Sequence, residues 1–237
     1  HPLHVALYRF LSLTAAFNLE LFLSYPFMLA GMFLFLRRWG LRRHAGLFGA
    51  IVFTYSGFNL FRFIHMNAIA VIAHIPWLLW AMDVVLRSQA RRRVALAQLA
   101  VGLLTASQAL LGYPQYMAFS CLAEGLYLLI AACAARKWRR SALVLAAKAL
   151  GSLAAAIQLA PTCEAVAMSE RFAPTEEFRF SYSLHPLNLC QIVSPYVFRG
   201  RVFIADDNLG EHEYVVYSGA VLPALLAALW IRRRRPC

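Results

Sequence analysis

The sequence predicts an all-α fold, a polytopic transmembrane helix bundle of about seven spans, from its composition and from the spacing of its arginines. Of the 237 residues, 61% are hydrophobic and 14% are charged, whereas soluble globular chains have about 45–50% apolar and about 25% charged residues. Apolar runs long enough to cross a lipid bilayer alternate with short basic clusters. We therefore expect one transmembrane domain over residues 1–237, and His1 in place of Met suggests that it belongs to a longer protein.

Each predicted element follows from the length of an apolar run. Residues 1–18 are apolar mainly on one side, which favours an N-terminal helix lying in the membrane interface. The predicted spans cover residues 19–36, 44–60, 68–86, 94–111, 116–134, 141–163 and 214–231. A large polar loop, 164–213, separates the last two spans, and Pro186 predicts the start of a short helix within it.

Basic clusters follow the first, third, fifth and seventh spans, at residues 37–43, 87–93, 136–140 and 232–235. Because positively charged segments stay on the cytoplasmic side of a membrane, this alternation predicts that the clusters are cytoplasmic. The connections 62–67 and 112–115, the loop 164–213 and the N-terminal helix are then extracytoplasmic. The net charge of +12 thus reports topology, and clusters at span ends do not indicate a groove for nucleic acid.

Three polar residues, Arg62, His65 and Asn67, lie in the connection between the second and third spans. Arg62 and His65 share one face if the helix continues, and a guanidinium beside an imidazole can hold a phosphate or pyrophosphate head group. The alternative is structural, with Arg62 extending to lipid phosphates and His65 capping a helix. Both interpretations stay open for Arg62, whereas His65 with Asn67 favours substrate binding.

A second outward turn contains Tyr113 and Gln115 on either side of Pro114. Proline frees helix carbonyl groups, which then need hydrogen-bond partners. Gln115 can serve those carbonyls or reach a sugar hydroxyl, and a simple turn between antiparallel spans explains the pattern equally well. The segment is therefore a candidate for substrate binding and no more.

The large loop brings further polar residues to the same face of the membrane. His185 lies within it, and Glu211, His212 and Glu213 come just before the last span. Two carboxylates beside an imidazole suit acid–base chemistry, substrate contact or a divalent metal, and they also suit an ordinary helix start. No second histidine and no cysteine pair has metal-ligand spacing. The sequence therefore predicts no metal centre and no cofactor, while a divalent metal stays open.

Charged residues inside the predicted spans need an explanation because burying a charge in a membrane is costly. Asp83 and Lys148 lie nearer the cytoplasmic ends, where they can pair with basic clusters or extend to the interface. Glu124 lies near the middle of the fifth span, with Lys148 too far inward to be its obvious partner. A proton relay and a helix-to-helix hydrogen bond are both open for Glu124, and the hydrogen bond is favoured.

Four segments, in the same order along the chain, resemble the bacterial YfhO-like membrane proteins. FTYSGFNLFRFIHMNAIAVIAHIPWLLWAMD (53–83) is similar to the hallmark region, with its His-x-Asn connection. LGYPQ (111–115) resembles the Gly-His-Pro-Gln turn of that family, with Tyr113 where His is common. LHPLNLCQIVSPYVFRG (184–200) and EHEYVVYSGAVLPALLAAL (211–229) resemble its loop segment and the start of its next span.

That family resembles the GT-C superfamily of glycosyltransferases, and the resemblance implies a function. It implies a bacterial inner-membrane enzyme that transfers a sugar from a polyprenyl-phosphate donor to a cell-envelope glycan, lipid or protein at the extracytoplasmic face. Such enzymes carry an acidic catalytic residue in the first extracytoplasmic loop. Glu20 is the acid nearest that place, and the family pattern also allows a base upstream of His1. A transporter or flippase for a lipid-linked sugar and a non-catalytic scaffold are the alternatives.

Overall fold

The fold is known from a computed structural model, which describes residues 1–176, 178, 185–192, 197, 225 and 228–230. The last predicted span, 214–231, and most of the loop 164–213 lie outside the described residues. All regular secondary structure in the described part of the chain is helical. The helices are α1 (Pro2–Phe10), α2 (Leu13–Arg38), α3 (Arg43–Thr54), α4 (Gly57–Phe61), α5 (Met66–Arg87), α6 (Arg91–Leu110), α7 (Pro114–Ala135), α8 (Trp138–Ala154) and α9 (Ala156–Ala167), with 3-10 turns at Arg62–Ile64 and Pro186–Ile192.

The structure confirms the prediction of a helical bundle with apolar helices of membrane-spanning length. Four of them, α2, α5, α6 and α7, are long and apolar enough to cross a bilayer. Two further pairs qualify if each bent pair counts as one span: α3 with the segment Gly57–Ile64, bent by 41°, and α8 with α9, bent by 80°. The described residues thus contain four to six candidate spans. The short helix expected from Pro186 is also present, as a 3-10 turn.

Three predicted spans need correction. The second, 44–60, is not one helix, because it is divided between α3 and α4 after Thr54. The helix of the first span begins at Leu13 rather than at residue 19, because Ser12 caps it and the polar Glu20 inside it has a partner in α1. The sixth predicted span, 141–163, is not straight. It breaks at Ala155, and the bend carries α9 towards the end of α6, where Gln158 lies beside Gly112.

Helix α5 is the centre of the bundle. Its sequence is apolar on all sides, which is the pattern of a helix surrounded by other helices. Ile69, Leu78 and Met82 are completely buried, and 72% of the most apolar stretch of α5 lies inside the protein. Helices α2, α6, α7 and α8 pack around it. Residues on α5 therefore face neighbours at every depth of the membrane.

Three of the four predicted basic clusters, 37–43, 87–93 and 136–140, meet at one end of the bundle, which we call the basic end. The fourth, 232–235, lies outside the described residues. The buried carboxylate of Asp83 accepts from Nε of Arg38 and from Nε of Arg87, each at 2.6 Å. Tyr127 donates its hydroxyl to the same carboxylate at 2.5 Å, and Lys137 Nζ donates to the Leu86 carbonyl oxygen at 2.8 Å. The prediction that Asp83 pairs with basic clusters is confirmed. The opposite end, which carries residues 62–67, is called the tip end.

The prediction that Lys148 lies too far inward to be the partner of Glu124 is wrong, because the two residues form an ion pair. Glu124 lies 11 residues before the end of α7 at Ala135, and Lys148 lies 10 residues after the start of α8 at Trp138. The two helices run in opposite directions from a short connection, so these residues reach the same depth. They form an ion pair in which Glu124 is almost completely buried. Ser120 donates to the other carboxylate oxygen at 2.5 Å.

The crossing of α6 and α8 depends on small residues. A Cβ atom added to Gly151 would overlap the carbonyl oxygen of Gly102, a backbone atom that cannot move aside. Such close approach is typical of helix packing in membranes. Gly125 in α7 is the opposite case, since a Cβ atom added there would have no neighbour within 4 Å.

We expect Gly151→Ala to lower the free energy of unfolding by about 1–3 kcal/mol, the usual cost of overpacking. The matched variant Gly125→Ala should leave stability unchanged or raise it by about 0.5–1 kcal/mol, because alanine is the better helix former. Unfolding of the purified full-length protein in mixed detergent micelles measures both. Equal effects of the two substitutions would contradict the close crossing.

Candidate functional site at the tip end

A cavity of about 470 Å³ lies between α2, α5 and α6, with α1 at one side. Leu23 and Phe27 of α2 and Ala73 of α5 give it a mainly apolar wall. Pro2, in the first turn of α1, favours the start of that short helix. His1 and Leu3, on either side of Pro2, line the cavity. The polar residues of the cavity wall are His1, Glu20, Ser24, His74 and Ser107.

Glu20 is the buried acid of this cavity, with only 3% of its surface exposed. One carboxylate oxygen is hydrogen-bonded to Nε2 of His4 in α1. Among the described residues, the other oxygen, Oε2, has no hydrogen-bond partner although it is buried. A buried carboxylate oxygen without a partner is costly. The site is therefore suited to a ligand that donates a hydrogen bond, such as a hydroxyl group.

A second chain of polar groups crosses the cavity wall. Nδ1 of His74 lies 2.7 Å from the Ala70 carbonyl oxygen, and Nε2 lies 2.9 Å from Oγ of Ser107. A carbonyl oxygen only accepts, so Nδ1 carries a proton, and Nε2 of the neutral ring accepts from the Ser107 hydroxyl. Oγ of Ser107 in turn lies 2.9 Å from Nε2 of His1. The cavity thus contains a connected set of groups that can orient a polar ligand.

Sequence reasoning missed His74 and Ser107. Ser107 carries no signal, because a serine in an apolar helix is common. His74 does carry one, since a titratable side chain inside a predicted span is a functional candidate by default. His1, His4 and Glu20 were all expected on this face of the membrane, and the structure brings them together.

The short helix α1 connects this cavity with the tip. The Tyr8 hydroxyl donates to Sδ of Met66, the first residue of α5, at 3.7 Å. Burial and the nearby Glu20 carboxylate raise the pKa of Tyr8 above its usual value, so its hydroxyl stays protonated. One face of α1 therefore contacts Glu20, and its last turn reaches the start of α5.

At the tip, aromatic rings surround Arg62. Its guanidinium lies 5.3 Å from the Phe58 ring centre and 5.7 Å from that of Tyr116. Arg62 is buried, so it does not extend to the lipid surface as the structural alternative required. The rings of His65 and Tyr113 lie 6.4 Å apart, and the backbone N–H of His65 donates to the Arg62 carbonyl oxygen at 2.8 Å. Arg62, His65 and Tyr113 therefore lie near one another at the tip.

Of the other predicted substrate-binding residues, three are among the described residues and three are not. Asn67 is half-buried in the first turn of α5, and Gln115 is exposed near the start of α7. His185 precedes the 3-10 turn, where its Nδ1 accepts from the backbone N–H of Leu187 at 3.3 Å. Glu211, His212 and Glu213 are not among the described residues.

Two further findings concern metal binding by the site and the similarity of the chain to known proteins. Within the part of the chain that the structure describes, no group of three histidine, cysteine or acidic side chains could hold a metal ion. Comparison of the chain with family models, with curated proteins and with solved structures finds no match.

Proposed function

We propose that the protein is a membrane glycosyltransferase that transfers a sugar from a polyprenyl-phosphate donor to a hydroxyl group of a cell-envelope acceptor. The observation that carries the proposal is the buried Glu20 carboxylate, held by His4 in an apolar cavity at the tip end. A carboxylate in such a place has the chemistry of a general base. The bacterial inner membrane, with the tip end outside the cytoplasm, is the location that goes with this reaction.

In the proposed reaction the Glu20 carboxylate takes the proton of the acceptor hydroxyl. The hydroxyl oxygen bonds to the anomeric carbon of the donor sugar while the carbon–oxygen bond to the lipid phosphate breaks. The bonding electron pair leaves with polyprenyl phosphate, and the configuration at the anomeric carbon inverts. His4 orients the carboxylate, and the proton on Glu20 returns to water or to the released phosphate.

The donor would approach from the bilayer, since its lipid tail stays in the membrane. The apolar wall formed by Leu23 and Phe27 suits the part of the tail next to the phosphate. Arg62 and His65 at the tip are the proposed contacts for the donor phosphate, because a guanidinium stabilises the negative charge that develops on the leaving group. Tyr113 lies beside His65, where an aromatic ring can stack on a sugar.

The transporter alternative requires a polar path through the bundle. The polar residues within the predicted spans that could form such a path are Glu124, Gln108, Lys148 and Gln158. Gln108 donates to Ser120 at 3.0 Å, and Ser120 donates to Glu124, which pairs with Lys148. Nε2 of Gln158 donates to Oγ1 of Thr162, in the same helix, at 3.3 Å. Gln108, Ser120, Glu124 and Lys148 are thus linked in one cluster, in which Oε1 of Gln108 is buried without a hydrogen-bond partner among the described residues. A connected cluster of this kind favours a structural role and leaves the enzyme as the better proposal.

We expect the full-length protein, reconstituted in lipid vesicles, to transfer radiolabelled sugar from polyprenyl phosphate to a cell-envelope extract. Arg62→Ala should lower kcat/KM about 10²–10³-fold, the usual effect of removing one group that stabilises developing charge. His65→Ala should weaken donor binding and raise KM. Arg62→Lys, which keeps the charge, is the control for loss of structure.

Unchanged transfer by both alanine variants would contradict the assignment of Arg62 and His65. Absence of transfer by every form, with every polyprenyl-phosphate sugar offered, would instead favour a transporter or a scaffold. If the vesicles show no sugar transfer, movement of the donor across their membrane would indicate a transporter, and absence of movement would indicate a scaffold.

A further inference from the structure

A second cavity, of about 770 Å³, lies at the basic end between the ends of α2 and α5 and the start of α6. Three arginines, Arg38, Arg87 and Arg93, line it together with the apolar side chains of Trp80 and Leu96. This basic cleft is separate from the cavity that contains Glu20, and no residue lines both.

Among the described residues, the charges around the basic cleft do not cancel. Asp83 pairs with Arg38 and Arg87, so in this part of the chain three arginines face one carboxylate and leave two positive charges uncompensated. Arg93 has no salt bridge or hydrogen bond with any other described residue. An uncompensated pair of positive charges in a cleft attracts an anion.

The start of α6 adds hydrogen-bond donors to the same place. Ala90, which lines the cleft, is the residue preceding this helix and provides no side-chain cap. The backbone N–H groups of the first turn have no partner within the helix and carry the positive end of its dipole. Together with the arginines they form a set of donors suited to phosphate oxygens.

The apolar wall decides between kinds of anion. Leu96, which lines the cleft from α6, is 57% exposed, and Trp80 of α5 also lines the cleft. A free phosphate ion would leave this surface uncovered, whereas a phospholipid covers it with an acyl chain. Basic pockets between membrane helices commonly bind anionic head groups in this way.

We propose that the basic cleft binds an anionic phospholipid, with the head-group phosphate at Arg87, Arg93 and the start of α6 and one acyl chain against Trp80 and Leu96. The bound lipid would offset the unbalanced charge at the contact between α2, α5 and α6. This site does not depend on the proposed reaction, because it lies at the opposite end of the bundle.

Native mass spectrometry of the full-length protein with equimolar phosphatidylglycerol and phosphatidylcholine tests the proposal. We expect retained phosphatidylglycerol to exceed phosphatidylcholine. Arg93→Gln should weaken phosphatidylglycerol binding about fivefold, the effect typical of one arginine near an anionic lipid. Arg92→Gln is the matched control, since it removes the same charge from the same exposed helical turn without lining the cleft.

A second pair of measurements separates a lipid from a free anion. Ala100→Trp, which fills the apolar wall, should weaken phosphatidylglycerol binding while leaving any binding of inorganic phosphate unchanged. Equal losses with Arg92→Gln and Arg93→Gln would mean general attraction to a basic surface and would overturn the site. Equal retention of the two lipids, or unchanged phosphatidylglycerol binding by Ala100→Trp, would also overturn it.

Discussion

Replacing Glu20 by glutamine is expected to lower the rate of sugar transfer about 10²–10⁴-fold, the contribution usual for a positioned general base. Glutamine has nearly the same shape and can still hydrogen-bond to His4, but it cannot take a proton from the acceptor hydroxyl. Donor binding should stay within about twofold of wild type, because the proposed phosphate contacts are at Arg62 and His65. Initial rates and donor binding measured on the reconstituted full-length protein separate the two effects.

Glu164→Gln provides the matched control for this substitution. Glu164 is an exposed carboxylate in α9 that does not line the cavity, so the same chemical change there should leave transfer unchanged. Full activity of Glu20→Gln would assign the base elsewhere and reduce Glu20 to a structural partner of His4.

The membrane fold was readable from the sequence because its main determinants are local. Apolar runs of bilayer length and the basic clusters between them do not depend on tertiary contacts. The clusters at 37–43 and 87–93 were expected on one side, and Arg38 and Arg87 do meet at the shared carboxylate of Asp83. The bend between α8 and α9 was not predicted, since it follows from how α9 packs on the end of α6.

The candidate site was only partly predictable. Arg62, His65 and Tyr113 were identified from their positions in connections, because two turns at one end of a bundle come close together. The contact between Glu20 and His4 depends on α1 folding back along α2, which no short-range pattern specifies. His74 and Ser107 were missed for the same reason, since their pairing joins two helices at residues that are far apart in sequence.

The partner of Glu124 is a different kind of error, because the sequence contained the information needed. Helices joined by a short connection run antiparallel, so residues at equal distances from that connection lie at equal depth. Counting outward from the turn after Ala135 pairs Glu124 with Lys148. The sequence analysis considered only how far Lys148 lies from the cytoplasmic end, and it did not compare that distance with the distance of Glu124 from the same connection. The contact has consequences for stability because both charges are largely buried.

Replacing Lys148 by methionine should therefore lower the free energy of unfolding by about 3–5 kcal/mol, the usual cost of leaving one charge of a buried pair without its partner. Methionine fills a similar volume, so the loss comes from the Glu124 carboxylate, which is 1% exposed. Ser120 still donates one hydrogen bond to it, but that bond does not neutralise the charge. Unfolding in mixed detergent micelles, followed by circular dichroism, measures the change.

The double variant Glu124→Leu with Lys148→Met completes the test. Removing both charges of a buried pair is often neutral or stabilising by about 1–4 kcal/mol, because neither ion then has to be taken out of water. We expect the double variant to regain at least the wild-type stability, so the two substitutions should be strongly non-additive. Simple additivity would show that Lys148 and Glu124 do not interact. A double variant that is stable but inactive in sugar transfer would give the pair a role in function, in disagreement with its assigned structural role.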